Sequence, residues 1–194
     1  MDFAQKGFLY YGGISENKGV GRLIEAFSSF SVSHPDASLT LAGIVDPKFD
    51  AELQKALADN SQIEYLGTLT NDKMLRVLAS AYCVVVPSLW IENYPNTVLE
   101  SLASSVLVVG SNRGGIPELI QNEKLLFDVT DTDSIVDCLE YAYGLTENRY
   151  HEIVSAGSAR VFENNSMEKF YERLMDAFET ARSAAETGGR ERCH

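Results

Sequence analysis

The stretch YCVVVPSLWIENYPNTVLESLASSVLVVGS, Tyr82 to Ser111, decides the fold. Each end is an apolar run without alternation, Tyr82 to Ser88 and Val106 to Ser111. Alternation marks a strand with one wet face, and its absence marks a parallel strand covered on both faces. The segment between, about Pro95 to Ser104, reads as a helix. Pro95 suits its first turn, where no N–H is needed. Strand, helix and strand in this order form a parallel unit with a right-handed crossover.

Working outward, the same alternation continues. Phe8 to Gly13 (FLYYGG) is a first strand ending in a glycine turn. Val20 to Ser33 follows as a helix, with Leu23, Ile24, Phe27 and Phe30 on one apolar face. Ser38 to Gly43 and Ile63 to Gly67 are strands. The helix between them, Ala51 to Asp59, turns Leu53, Ala56 and Leu57 inward. Asn71 can cap a helix running to Ala81 by accepting from an orphan N–H. Lys124 to Asp128 (KLLFD) is a sixth strand, and two or three helices fill Asp131 to Ala185. The pattern predicts a Rossmann-like α/β/α sandwich around a parallel sheet of about six strands. Residues 1–186 form one domain, and 187–194 are expected to be a disordered tail.

Composition narrows the function classes. The chain has 194 residues, one domain by length, with 45% hydrophobic residues and a formal charge of 16 minus 28, or −12. Such an acidic surface repels phosphate backbones, so nucleic acid is excluded as a partner. It also opposes electrostatic docking on an anionic membrane. No apolar run can span a bilayer, and the N-terminus lacks a signal peptide's apolar core. Three cysteines, Cys83, Cys138 and Cys193, fit a reducing compartment, with Cys83 a small core residue. No metal is expected, because there is neither a C-x-x-C pair nor a histidine cluster. His34, His151 and His194 read as surface residues.

Ligands of doubly wound sheets sit outside the carboxyl ends of the strands, so three loops carry the chemistry. In YYGGISENKGVGRL, Gly12 and Gly13 let backbone amides approach a ligand, and Lys18 near the next helix start suits a diphosphate. A structural turn with a solvated lysine reads the same residues equally well, and the pattern is neither a P-loop nor a dinucleotide fingerprint. In WIENYPNTVLE, Glu92 and Glu100 are separated by seven residues. Helix-start amides from Asn93 to Thr97 favour an anion, and Glu100 could accept from a vicinal diol. The plain alternative for Glu100 is a solvated helix residue. In NRGGIPEL, two glycines before a proline mark a tight turn into a short helix, with Glu118 in its first turn and Arg113 as the loop's cation.

Together these segments resemble the C-terminal domain of family 4 (group 1) retaining glycosyltransferases of the GT-B fold. The resemblance runs from about Phe8 to Ala181. It rests on GGISENKG at Gly12 to Gly19, LIEAF at Leu23 to Phe27, Gly43, and YLG at Tyr65 to Gly67. The longest pieces are PSLWIENYPNTVLESLA at Pro87 to Ala103 and GGIPELI at Gly114 to Ile120. The resemblance implies transfer of a sugar from a UDP- or GDP-linked donor with retained anomeric configuration, without a bound metal or cofactor. Lys18 would hold the diphosphate and Glu92 would lie beside the transferred sugar. Asn93, Tyr94, Pro95, Asn96 and Thr97 would bind sugar hydroxyls and phosphate through their amides. Glu100 would bind the ribose, and the loop after Gly67, including Leu69 and reaching Met74, would pack on the base. Cell-surface polysaccharide or lipopolysaccharide synthesis is the expected setting, in the cytoplasm or peripheral at the inner membrane face.

The sequence departs from the family pattern at three places. Gly13 stands where the family usually has arginine, removing one of two diphosphate cations. A lost contact of that kind costs about 2–4 kcal/mol of transition-state stabilisation. Arg113, or a cation from another domain, could substitute. Ser105 and Leu107 replace a glycine and a proline, which reads as packing variation. The N-terminal acceptor-binding domain is expected to be absent, supplied in cis or in trans, so the chain alone should bind donor and transfer little. A non-catalytic nucleotide-binding or interaction module with a decayed donor site is the rival from a different class. A sugar-nucleotide epimerase and an unrelated flavodoxin-like domain are further alternatives.

Overall fold

The computed structural model describes residues 6–165 and 167–188. Six strands form one parallel sheet: β1 (Gly7–Tyr11), β2 (Ser38–Ala42), β3 (Ile63–Tyr65), β4 (Cys83–Val86), β5 (Leu107–Ser111) and β6 (Leu126–Phe127). Their order is β3-β2-β1-β4-β5-β6. Every residue of β4 and β5 is buried, as their uninterrupted apolar sequence requires. The register pairs Val84 with Val108 and Val85 with Val109, so the two runs meet side by side at the centre.

Eight helices follow among the described residues: α1 (Val20–Ser33), α2 (Asp50–Asp59), α3 (Asn71–Ser80), α4 (Asn96–Ala103), α5 (Ile116–Ile120), α6 (Thr132–Tyr143), α7 (Glu147–Asn164) and α8 (Met167–Gly188). Contacts sort most of them into two layers, α1 with α2 and α6, and α4 with α5 and α7. The predicted apolar face of α1 is the buried one, Leu23, Ile24, Phe27 and Phe30 included. Phe8 then meets both Phe27 and Phe30 edge-to-face, with Phe8 and Phe30 centroids 5.6 Å apart.

Several local expectations are corrected. Thr70, not Asn71, is the N-cap of α3, and its side chain makes no capping bond; Asn71 is the first helical residue. Pro95 is likewise the N-cap of α4, its carbonyl accepting from the Val98 and Leu99 N–H groups. Strand β6 has only two residues, because Glu123–Leu125 coil into a 3-10 turn whose cap, Asn122, accepts from the Lys124 N–H. His34 is not a plain surface residue. Its ring lies 4.3 Å from both the Phe30 and Tyr143 rings, and Nε2 is 2.9 Å from the Glu140 carboxylate. His151 is exposed, and Cys83 and Cys138 are buried thiols. Burial pushes both thiols upward, Cys138 to about 12, so neither is a reactive thiolate. Of the expected tail, residues 187 and 188 belong to α8, while 189–194, with Cys193 and His194, lie outside the described residues.

Ser105 has a conformational role that the sequence pattern did not disclose. It follows α4 in the left-handed region, φ 56°. Its N–H donates to the Leu102 carbonyl and the Val106 N–H donates to the Ser101 carbonyl, both at 3.0 Å. This pair of bonds closes a helix most cheaply when glycine holds the left-handed position. A serine there carries a steric cost of about 1 kcal/mol. Ser105→Gly should therefore raise stability by about 0.5–1 kcal/mol, read as a rise of about 2–3 °C in Tm by differential scanning calorimetry. A fall in Tm would show that the serine hydroxyl compensates the strain.

Candidate active site at the mouth of the sheet

In the order β3-β2-β1-β4-β5-β6 the chain winds outward in both directions from β1 and β4. Their crossovers leave on opposite faces, so a crevice opens between their carboxyl ends. A cleft of about 170 Å³ lies there. Its floor is Tyr10, Tyr11, Val85 and Val86; its walls are Gly12, Gly13 and Lys18 on one side, and Ser88, Glu92 and Pro95 to Thr97 on the other.

Backbone contacts lock the walls together. The Asn17 carbonyl accepts from both the Leu89 and Trp90 N–H groups at 3.1 Å. Gly19, φ 71°, passes so close to β4 that an added Cβ would stand 1.8 Å from the Pro87 carbonyl oxygen. On the far side, Gly115 N–H donates to the Glu92 carbonyl at 2.7 Å. Cβ atoms at Gly114 and Gly115 would fall 2.2 Å from the Glu92 oxygen and 2.0 Å from the Asn93 oxygen. Ser111 Oγ donates to the Ser88 carbonyl at 2.9 Å. The glycine pair read from sequence as a turn is thus also the bed on which the Glu92 loop rests.

The side chains in this frame form a short polar network. Lys18 lies in a 3-10 turn, Glu16–Lys18, and Gly19 separates it from α1. Its Nζ is 2.5 Å from Glu92 Oε1, with the two side chains 40% and 20% exposed. Buried Ser88 donates to the same carboxylate oxygen at 3.1 Å. Tyr10 donates its hydroxyl to the Gly13 carbonyl at 2.6 Å, fixing the glycine turn. Burial, and then the Glu92 charge, push its pKa up, so it stays a neutral donor. Tyr11 Oη lies 3.2 Å from Glu100 Oε2 and 3.1 Å from the Thr97 carbonyl. Burial and the Glu100 carboxylate raise the Tyr11 pKa as well. The phenol therefore pins Glu100, exposed on α4, beside the end of β1.

The cleft gathers Gly12, Gly13, Lys18, Glu92, Pro95, Asn96 and Thr97 from the sequence candidates. Glu100 is tied to its floor through Tyr11. Gly67 stands two strands away, its carbonyl accepting from Gly43 N–H at 3.0 Å, and Leu69 is partly buried beside it. The base loop ends at Thr70, because Asn71 to Met74 already belong to α3. Asn93 packs through its carbonyl against Gly115, while Tyr94 turns outward and donates to Asn165 Oδ1 at 2.6 Å. Glu118 lines that outer pocket with Tyr94 and Arg160, not the cleft. Arg113 donates to the Leu89 carbonyl at 3.2 Å and is not part of the cleft lining. Tyr10, Tyr11, Ser88 and Asn17 were missed by sequence reasoning. Polar side chains at strand ends and a loop carbonyl give no periodic signal.

Comparison with known proteins identifies the family and the fold. The model of the family described as glycosyl transferases group 1 matches residues 4–160. A lipopolysaccharide 1,2-N-acetylglucosaminetransferase of Salmonella typhimurium is 27% identical over 179 residues, 86% of this chain and 46% of that protein. The gpi3 subunit of a phosphatidylinositol N-acetylglucosaminyltransferase from Schizosaccharomyces pombe is 23% identical over 173 residues, 86% of this chain and 37% of that protein. The chain thus spans less than half the length of these curated relatives. The solved C-terminal domain of a group 1 glycosyl transferase from Francisella tularensis superposes with a TM-score of 0.74 at 22% identity, covering 84% of this chain and 87% of that one. The fold is accordingly the C-terminal half of a GT-B architecture, and the chain belongs to the group 1 glycosyl transferases.

Proposed function

We propose that this chain is the donor-binding half of a retaining glycosyltransferase that moves a hexose-type sugar from a UDP- or GDP-linked donor to a saccharide or lipid-linked acceptor. The observation that carries the reading is the meeting of Lys18, Glu92 and the start of α4 at the β1–β4 mouth. A helix start has N–H groups without intrahelical partners and the positive end of the dipole, a site suited to phosphate. Lys18 adds a cation at the same place. In this reading the cation and amides stabilise the departing diphosphate, which is where negative charge grows in the transition state. Glu92 faces the sugar, and Glu100, pinned by Tyr11, takes the ribose hydroxyls. Neither a resident metal nor a cofactor has a role in it. Gly67 and Leu69 border the base.

The remainder of the enzyme is proposed on two grounds. The cleft of about 170 Å³ is smaller than the roughly 300–1,000 Å³ of ordinary small-molecule sites, so a nucleotide sugar bound to this half alone lies partly open and a second wall would complete the site. Helix α8 also leaves Tyr171, Leu174, Met175 and Phe178 exposed in a helical stripe, surface that suits cover by another domain. An acceptor-binding N-terminal domain, in cis or in trans, would supply the wall. No described helix is long and apolar enough to cross a membrane. The proposed setting is cell-surface polysaccharide or lipopolysaccharide assembly, at the cytoplasmic side of the inner membrane; the Salmonella relative, a lipopolysaccharide transferase, supports the lipopolysaccharide part.

Isothermal titration of the chain with UDP, GDP and ADP tests the reading. One of them should bind, and Lys18→Ala should weaken it about tenfold or more, the worth of one charge-assisted contact. Glu100→Gln should lower the preference for a ribose over a 2′-deoxyribose nucleotide. Failure of every nucleotide to bind the folded chain would sink the proposal and favour the non-catalytic module.

The Gly13 position offers an independent check. An added Cβ there meets nothing within 4 Å, so an arginine has room. Gly13→Arg should tighten nucleoside diphosphate binding by about ten- to one-hundredfold through a charge-assisted pair. Unchanged affinity in the same titration would mean that the diphosphate does not lie beside this turn.

A further inference from the structure

We infer that Glu92 makes nucleotide binding conditional on the sugar, by exchanging its partner Lys18 for the sugar's hydroxyl groups. The inference rests on the donor-site reading above and extends it to the cleft without ligand. There Lys18, the one cation of the lining among the described residues, is already paired with Glu92 at 2.5 Å. Ser88 Oγ, from a buried residue, holds the same carboxylate oxygen at 3.1 Å. The Glu92 backbone cannot yield, because Gly115 N–H and the Gly114–Gly115 bed grip it. The movable member is Lys18, whose side chain is the more exposed of the two and ends a flexible four-carbon stem.

A diphosphate entering the cleft competes directly with Glu92 for this ammonium. Once Lys18 turns to phosphate, the Glu92 carboxylate has lost its cation and faces an anion. A bare nucleoside diphosphate leaves it in that state, with like charges close together in a partly dry cleft. A nucleoside diphosphate sugar brings hydroxyl donors to the same place, and a carboxylate accepts from them. The donor therefore supplies both halves of the exchange, a phosphate for Lys18 and hydroxyls for Glu92. The bare diphosphate supplies only the first. After transfer removes the sugar, Lys18 returns to Glu92, and the nucleoside diphosphate is released from a site that no longer favours it.

The arrangement acts as a specificity device because Gly13 provides no second cation. With two cations, one could keep Glu92 neutralised while the other held phosphate. With one, Glu92 and phosphate compete for the same ammonium and must divide its three donors.

Titration of the purified chain with UDP, GDP, UDP-glucose, UDP-N-acetylglucosamine and GDP-mannose, for wild type and Glu92→Gln, tests the exchange. Glu92→Gln should bind the accepted nucleoside diphosphate about three- to tenfold tighter, as expected for removal of a competing, partly exposed ion pair. Its preference for the sugar-linked form over the bare form should fall by a similar factor. In a Lys18→Ala background the gain from Glu92→Gln should shrink, which a loss of folding would not produce; thermal melts confirm that each variant is folded. Equal affinity of wild type and Glu92→Gln for the bare diphosphate overturns the exchange and leaves the donor site standing. Weaker binding by Glu92→Gln also overturns it, by showing that Glu92 aids the phosphate. Absence of nucleotide binding in wild type and Glu92→Gln alike removes the donor-site reading itself.

Discussion

Glu92 is held by its backbone as well as through its carboxylate, and the rest of the site follows from the backbone contact. Its carbonyl receives Gly115 N–H at 2.7 Å, and the loop before it hangs from the Asn17 carbonyl through Leu89 and Trp90. Both contacts require main chain to lie on main chain. A single methyl group at Gly114 or Gly115 would occupy the space of the Glu92 or Asn93 oxygen. Sites fixed in this way hold their polar groups to a fraction of an ångström, which is what differential stabilisation of a transition state needs. The first, fourth and fifth loops, far apart in the chain, therefore behave as one rigid rim.

The fold was legible because its central strands obey a simple rule. Residues 83–86 and 107–110 carry no polar side chain beyond the Cys83 thiol, and every one of them is buried in a parallel sheet. The spacing of Leu23, Ile24, Phe27 and Phe30 gave the inward face of α1 for an equally direct reason. Boundaries were harder. Asn71 has the chemistry of a cap, yet Thr70 takes the extended conformation at that position. Lys124 and Leu125 look like strand residues but are drawn into a 3-10 turn by the Asn122 cap.

Of the site, sequence gave the residue types and not their partners. Lys18 and Glu92 lie 74 positions apart, and only the sheet order brings them into contact. Glu100 is an exposed helix residue, as its plain reading has it, and its contact with Tyr11 at the end of β1 was not legible in the sequence. Arg113, offered from the sequence as a substitute cation, donates to the Leu89 carbonyl and lies outside the cleft lining, a placement that periodicity does not disclose. Ser105 was read as mere packing, while its φ of 56° marks it as a strained helix terminus. Partners and dihedral angles depend on three-dimensional closure, which periodicity does not encode.

Charge sets the last constraint. A chain with net charge −12 repels an anionic donor at long range, so attraction must be local. Without ligand, Lys18, the one cation lining the cleft among the described residues, is paired with Glu92, which leaves helix-start amides as the main remaining pull on phosphate there. Weak attraction of that kind disfavours every phosphate equally, unless the ligand can compensate the acid that it displaces. A sugar attached to the diphosphate can do so and a bare diphosphate cannot. The substitution that appears in the sequence as a missing arginine at Gly13 thus changes the logic of the cleft, from one that holds any nucleoside diphosphate to one that asks whether the sugar is still attached.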